Sequence, residues 1–238
     1  MTIDLDMMGI DDPDLVCREY ESLDRLAMRR LDRTGWLRFD DLDEEQTLIR
    51  AVAEVHPVRV LDVGCGDGRL ASLVAAPEVV CVDSSPAAVE AAAARGLEAQ
   101  VADARELPFP DGSFDAVTCN HMLYHLADPD QALAEFARVL RPGGRFAGIY
   151  NAPEHLREVF GEAAPEAFDS ESGLPLLQAR FASVARVFRG GSVLWLTRRD
   201  LQTYLDAYVG LYGPMVAPEG PYPFTAVRRK CVFVADAE

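Results

Sequence analysis

The amino-acid sequence predicts an α/β fold: a doubly wound, mostly parallel sheet with helices on both faces and a helical cap before it. Two observations carry that expectation. From residue 58 to residue 150, short apolar runs alternate with helical stretches, the pattern of a parallel sheet with crossover helices. The first run, VRVLDV, passes directly into GCGDG, three glycines in five positions where a strand hands over to a helix. Length agrees with one domain, because 238 residues at 49% apolar content supply one substantial core and are short for two.

Each element has its own signal. Asp12 and Pro13 suit a helix start, and Val16, Tyr20, Leu23 and Ala27 recur at helical spacing. A second helical pattern runs from about Asp43 to Val55, with Leu48, Ile49, Val52 and Val55 on one side, and ends at His56-Pro57. Residues 1–56 therefore read as a helical N-terminal cap, and residues 57–150 as the core. Within the core the spacing predicts strands at 58–63, 78–82, 98–101, 115–120 and 144–150, and helices at 68–76, 86–95 and 129–140. Pro86 after Ser84-Ser85 starts a helix, Arg95-Gly96 stops it, and Arg141-Pro142-Gly143-Gly144 is a turn. Residues 151–238 form an insertion or lid and C-terminal strands. Residues 151–180, with three prolines and two glycines, read as the insertion over the sheet. ASVARVF and SVLWL flank Gly190-Gly191 like a hairpin, RDLQTYLDAYVGLY reads as a helix, and RKCVFVA as the last strand.

Composition narrows the function. A net charge of −16 opposes a nucleic-acid partner, since affinity for a polyanion rests on cationic contacts to phosphate. No apolar run has membrane-spanning length and the N-terminus is acidic, so the expectation is a soluble, cytoplasmic protein with no membrane partner. Five scattered cysteines, Cys17, Cys65, Cys81, Cys119 and Cys231, lack the close pairing of a disulfide framework or a metal site, and none is assigned to a metal. Lys230 is the sole lysine among many arginines, which reads as compositional bias.

The glycine turn is an anion and zwitterion site, because backbone amides at the start of a helix converge there. The dinucleotide pattern G-x-G-x-x-G needs a glycine at position 69, which is Arg69, and no Gly-Lys-Ser/Thr ending follows for a phosphate loop. Taken with its successors, the turn resembles that of the class I S-adenosylmethionine-dependent methyltransferases, in particular their small-molecule subgroup. VLDVGCGDG is similar to their first motif and VVCVDSSPAAVEAA to the second strand with its terminal acid. VADARELPFPDGSFDAV is similar to the third and fourth motifs, and RVLRPGG to the signature before the fifth strand. Four motifs in order cover residues 55 to 150 densely and the flanks loosely.

The resemblance implies a Rossmann-like, seven-stranded sheet with an antiparallel last strand, S-adenosyl-L-methionine as cofactor and a small-molecule methyl acceptor, with the protein a monomer or homodimer. It places the backbone of Gly64, Cys65, Gly66 and Gly68 against the amino-acid part of the cofactor. It gives Asp62 to the turn or to the ligand ammonium. Asp83, with Ser84 beside it, would meet the ribose hydroxyls; the competing reading makes Asp83 a helix cap. Asp103 and the Ala104 amide would meet the adenine, and Asn120 and His121 would border the methionine. Arg38, in RTGWLRF, either pairs with the cofactor carboxylate or is a solvated arginine beside Trp36.

Chemistry would sit in NHMLYHLADPD, after the fourth core strand at its carboxyl end, where ligands of open α/β sheets bind. LYHLAD matches the position where some relatives in this class carry a histidine pair acting as base. Here the pair is Tyr124-His125, which supports His125 as the base and leaves Tyr124 as a departure that orients. Tyr150, Asn151 and His155 are further wall candidates. The implied function is methyl transfer to a small organic molecule, of the kind found in secondary metabolism. Two alternatives share the cofactor site: cyclisation or rearrangement assisted by the bound sulfonium, and a non-catalytic cofactor-binding subunit.

Overall fold

The structure, a computed structural model, describes residues 36–39, 43–160, 168–209 and 214–238. The helix expected over Asp12 to Ala27 lies outside the described residues. The strands are β1 (Trp36–Phe39), β2 (Arg59–Val63), β3 (Glu78–Asp83), β4 (Glu98–Val101), β5 (Phe114–Cys119), β6 (Leu140–Asn151), β7 (Ser183–Trp195) and β8 (Phe224–Asp236). They form one eight-stranded sheet in the order β1-β7-β8-β6-β5-β2-β3-β4. Strands β4, β3, β2, β5 and β6 are mutually parallel, and β8 is antiparallel to both β6 and β7. Strands β2 to β8 are thus the expected seven, with an antiparallel last strand.

Alternation along β2 explains how one strand serves two faces, because successive side chains point to opposite sides of a sheet. Leu61 and Val63 join Val82, Val117, Phe146 and Phe233 under helix α3 (Pro129–Val139), which inserts Leu133 and Phe136. On the other face Val60 joins Ala116, Ile149 and Val232 under helix α1 (Glu44–Ala53), which inserts Leu48 and Val52. Helix α2 (Pro86–Ala94) packs Ala92 on Cys81. The Asp115 carboxylate accepts from Val58 N at 2.6 Å and Arg59 N at 2.8 Å, which pins the amino end of β2 beside β5. The opposite, carboxyl end of the sheet is left to the loops that build the site.

Three expectations are corrected. Trp36–Phe39, placed in the helical cap, is a strand, and it pairs antiparallel with β7 through Trp36↔Trp195 and Phe39↔Ser192. The helix expected over 68–76 shrinks to a single 3-10 turn at Ala71–Leu73. Val74 is already extended, and Pro77 disfavours helical geometry at the residue before it. The hairpin at Gly190-Gly191 does not exist: β7 runs straight through, with Gly190↔Arg229 and Gly191↔Arg228 in register. A Cβ at Gly190 would lie 2.4 Å from the Arg228 carbonyl oxygen, so this glycine permits close approach of two strands and makes no turn.

Continuity of β7 has an architectural consequence. It and β8 are each 13 residues long against five in β2, so their far halves overhang the carboxyl end of β6. On the overhang sits a second core, Trp195, Val193 and Ala226 packed under Leu201, Tyr204 and Leu205 of helix α4 (Arg198–Asp206). Shorter helical segments at Arg157–Phe160 and Gly173–Gln178 complete the insertion. No helix of the described residues is long and apolar enough to cross a membrane.

Candidate active site

The glycine turn leaves β2 with Gly64, Gly66 and Gly68 at φ of 69°, 55° and 70°, left-handed values that side chains resist. Gly64 N and Cys65 N donate to Val82 O at 2.8 and 3.1 Å, folding the turn against β3. A Cβ on Gly64 would stand 2.7 Å from Met122 Cγ, so the turn passes under the loop that follows β5. Gly68 has a different neighbour, since its Cβ would meet Leu97 Cδ1 at 2.6 Å and Ala92 Cβ at 3.0 Å. Its smallness serves packing of the turn on α2. Cys65 packs on Cys81, and that contact, followed by burial, pushes its thiol far up and leaves it a small apolar residue.

One carboxylate bonds this turn, and a second lies two residues before it. Asp83 ends β3 and spans from the turn to the next helix: one oxygen accepts from Gly66 N at 2.9 Å and the other from Ser85 N at 2.9 Å. Burial raises its carboxyl and these amides oppose the rise. The cap of α2 is Ser85, whose Oγ accepts from Ala88 N at 3.3 Å, so capping does not account for Asp83. Ser84 is exposed beside it. Asp62 lies beneath, 3% exposed, accepting from Thr118 Oγ1 at 2.6 Å. Burial pushes its carboxyl up to about 7, against the Thr118 bond and with the help of the Asp83 charge.

Farther along, Asp103 is gripped by Arg105, whose backbone N, Nε and terminal nitrogen donate to it at 2.8, 3.0 and 2.7 Å; this holds its carboxyl below the usual range. Ala104 is buried in the core. Asn120 Oδ1 accepts from Ile149 N at 3.1 Å, and His121 N donates to Ile149 O at 3.0 Å, so these two residues extend the β5–β6 ladder past the end of β5. His121 does so in a left-handed conformation, φ 55°. Leu123–His125 is a 3-10 turn in which the Tyr124 and His125 rings meet edge to face at 4.4 Å, with His121 and Tyr124 at 6.5 Å.

Among the other wall candidates, Tyr150 is fully buried, donates to Cys119 O at 2.7 Å and packs on Phe168, so it belongs to the core. His155 Nδ1 accepts from Arg229 N at 3.0 Å, and Asn151 Oδ1 accepts from Lys230 Nζ. Arg38 sits on β1 at the sheet edge, five positions from β2. Sequence reasoning missed Lys230. Its signal was available: a single lysine directly before the apolar run CVFVA of the last strand.

Residues 61–148 match the family model described as a methyltransferase domain. Over that stretch the core is similar to the class I S-adenosylmethionine-dependent methyltransferases. Over 131 residues the chain is 41% identical to the demethylmenaquinone methyltransferase of Thermus thermophilus, covering 51% of this chain and 59% of that protein. Over 106 residues it is 41% identical to the ubiquinone biosynthesis O-methyltransferase of Xanthomonas oryzae pv. oryzae, covering 41% and 44%. The chain therefore spans about half the length of these curated relatives. Among solved structures, YcgJ from Bacillus subtilis superposes with a TM-score of 0.60 at 22% identity, over 82% of this chain and 97% of that one. The cyclase SpnF shares the fold at TM-score 0.56 and 21% identity, over 93% and 96%. For a methyltransferase of this class the residues present fit the cofactor. Backbone amides of the turn and the Asp83 carboxylate at the end of β3 lie together at the carboxyl end of the sheet, and a carboxylate with about four lone-pair sites keeps acceptor capacity beyond the backbone amides it holds. Among the described residues no group of His, Cys, Asp and Glu could hold a metal ion.

Proposed function

We propose that this chain transfers a methyl group from S-adenosylmethionine to a small organic molecule. The observation that carries the reading is the coupling of the glycine turn to Asp83, because an acid that ends β3 and simultaneously fixes Gly66 would orient both the sugar and the amino-acid ends of one ligand. Gly64 and Gly66 would face the amino-acid end and Asp83 the ribose hydroxyls. Asp62 supports the turn from below. Asp103 would have to share its carboxylate with Arg105 to meet an adenine amine. The names of the relatives, whose acceptors are quinone precursors, and the net charge of −16 support a small organic acceptor over nucleic acid. Free thiols at Cys65, Cys81, Cys119 and Cys231 support a cytoplasmic setting.

When bound, the cofactor supplies an electrophilic methyl and a neutral leaving group, so the residues of this chain have two tasks. They align the acceptor, and they take its proton if it carries one. Tyr124, His125 and His121 lie together at the carboxyl end of β5 and are suited to both. Calorimetry with S-adenosylmethionine, S-adenosylhomocysteine and NAD tests the binding half, and binding of NAD alone would remove the reading. Methyl-labelled cofactor incubated with cell extract and followed by mass spectrometry tests the transfer half. Cofactor bound without any labelled product would favour the cyclisation or rearrangement alternative, which the fold alone does not discriminate against.

A further inference from the structure

We infer that Arg95 and Glu45 are positioning residues for the cofactor. Each clamps a charged residue of the glycine turn from a flanking helix, and together they keep the turn in the shape that receives the amino-acid end of S-adenosylmethionine. The inference rests on the methyltransferase reading and adds two residues that none of its motifs contains. It begins with a shortfall in secondary structure. Three left-handed glycines make the turn costly to order, and a glycine turn that leaves a strand is ordinarily held by the helix it opens. Here that helix is the single 3-10 turn Ala71–Leu73, with Val74 already extended. Few backbone bonds follow the glycines: Ser72 N donates to Gly68 O and Leu73 N to Leu70 O, each at 3.0 Å. A turn so briefly continued has to be fixed from its sides.

Side chains supply that hold. Asp67 stands between two of the glycines and Arg69 directly after the last. Arg95 caps the carboxyl end of α2, and its guanidinium grips Asp67 twice: Nε donates to the backbone carbonyl at 2.6 Å and a terminal nitrogen to Oδ2 at 2.8 Å. The Asp67 carbonyl and the Gly68 N–H share one peptide plane, so the first of these bonds also orients Gly68 N, which donates to Cys65 O at 3.0 Å across the turn. Asp67 Oδ1 accepts from Arg69 N at 3.3 Å. On the other side Arg69 reaches α1 and pairs with Glu45 through both terminal nitrogens, the fork geometry that makes such pairs specific. Glu45 stands on a fixed support. Asp43 caps this first turn of α1 and accepts from Glu45 N at 2.9 Å, Glu44 beside it pairs with Arg228 of β8, and Thr47 Oγ1 accepts from Arg189 Nε of β7 at 2.8 Å. The glycine turn is thus tied to α2 at Asp67 and to α1 at Arg69, with Asp83 holding Gly66 from β3.

Both clamps are partly exposed, so each adds little to global stability. Their effect is local. A turn that occupies its receiving shape about one tenth of the time binds about tenfold more weakly, whatever the stability of the sheet beneath it. Loss of a clamp therefore shows in ligand affinity rather than in unfolding, and only for a ligand that reaches the turn.

The test uses the full chain and two ligands: S-adenosylhomocysteine, which carries the amino-acid end, and methylthioadenosine, which keeps the nucleoside and lacks that end. By calorimetry, Arg95→Met and Glu45→Ala should each weaken S-adenosylhomocysteine about tenfold and leave methylthioadenosine within about threefold. Arg95→Lys keeps the charge without the fork and should fall between wild type and Arg95→Met. Hydrogen exchange at residues 64–69 should quicken in both truncations, while thermal unfolding stays within about 3 °C of wild type. Unchanged S-adenosylhomocysteine affinity overturns the inference for the residue truncated. An equal loss for the two ligands overturns it as damage to the site as a whole. The clamps come from different helices, so a variant that fails to fold leaves the other to decide. Wild type that binds both ligands, with truncations that do not separate them, sinks this inference alone; wild type that binds neither sinks the methyltransferase reading beneath it.

Discussion

The parallel half of the sheet, β2 to β6, and the antiparallel half, β7 with β8, bring residues to the same place by different routes. In the parallel half each candidate residue follows the strand that presents it: Gly64 after β2, Asp83 ending β3, Asp103 after β4, Asn120 and His121 after β5. Every strand points its carboxyl end at the site, so a short motif suffices. In the antiparallel half the residues come from mid-strand, and their neighbours are distant in sequence. Lys230 meets Asn151 across a gap of 79 residues, and Arg228 meets Glu44 across 184. The comparison teaches that residues at the ends of parallel strands are placed by short local motifs, whereas residues of the antiparallel half depend on which long strands pair and how far they overhang.

The largest expected effect tests whether the overhang is held on by its polar layer. Glu44 and Arg228 are 7% and 5% exposed, so Glu44→Ala leaves a buried guanidinium without this carboxylate and should cost about 3–5 kcal/mol in urea unfolding. Replacing both, as Glu44→Leu with Arg228→Met, should recover most of that loss. Hydrogen exchange should localise the damage to β7, β8 and α4, and spare β2 and β5. Uniform loss across the sheet would mean that the two halves are one cooperative unit.

Next in size is a pH effect confined to the parallel half. Asp62 titrates at about 7 in the folded chain against an ordinary 3.8, so between those values the folded state keeps a proton that the unfolded state has lost. A carboxyl raised in this way lowers stability as pH rises through that window, by on the order of 3 kcal/mol, and costs nothing extra below it. Denaturation of the cofactor-free protein from about pH 4 to about pH 8 should show this fall. Asp62→Asn should be flatter across the same range, and equal slopes would mean that Asp62 ionises normally.

Asp83→Ala follows, with S-adenosylhomocysteine affinity weakened by about 1.5–3 kcal/mol, the scale of hydrogen bonds to a charged group. Unchanged affinity by calorimetry would confine Asp83 to holding Gly66 and Ser85. The smallest effect belongs to the overhang. Thr197 and Asp200 form a reciprocal capping box at the start of α4, and Thr197→Ala should cost about 1 kcal/mol. It should leave cofactor affinity unchanged if the two halves act separately.

The sequence by itself determined the parallel core. Val60 and Leu61 already read as a strand buried on both faces, Ser85-Pro86 as a helix start, and the three glycines as a turn that tolerates no side chain. Each of these signals is a local steric or hydrogen-bonding requirement, complete within about ten residues. Only the tertiary structure decided the rest. Gly190 looked like a turn because a glycine pair between two apolar runs has the same composition whether the chain reverses or a neighbouring carbonyl presses close. Trp36–Phe39 looked like part of a helical cap because a four-residue edge strand has too few residues to show a period, and β7 as its partner begins 144 residues after it ends. Lys230 looked like compositional bias because its partner Asn151 lies 79 residues away, and a contact set by the register of two long strands is encoded in no local pattern.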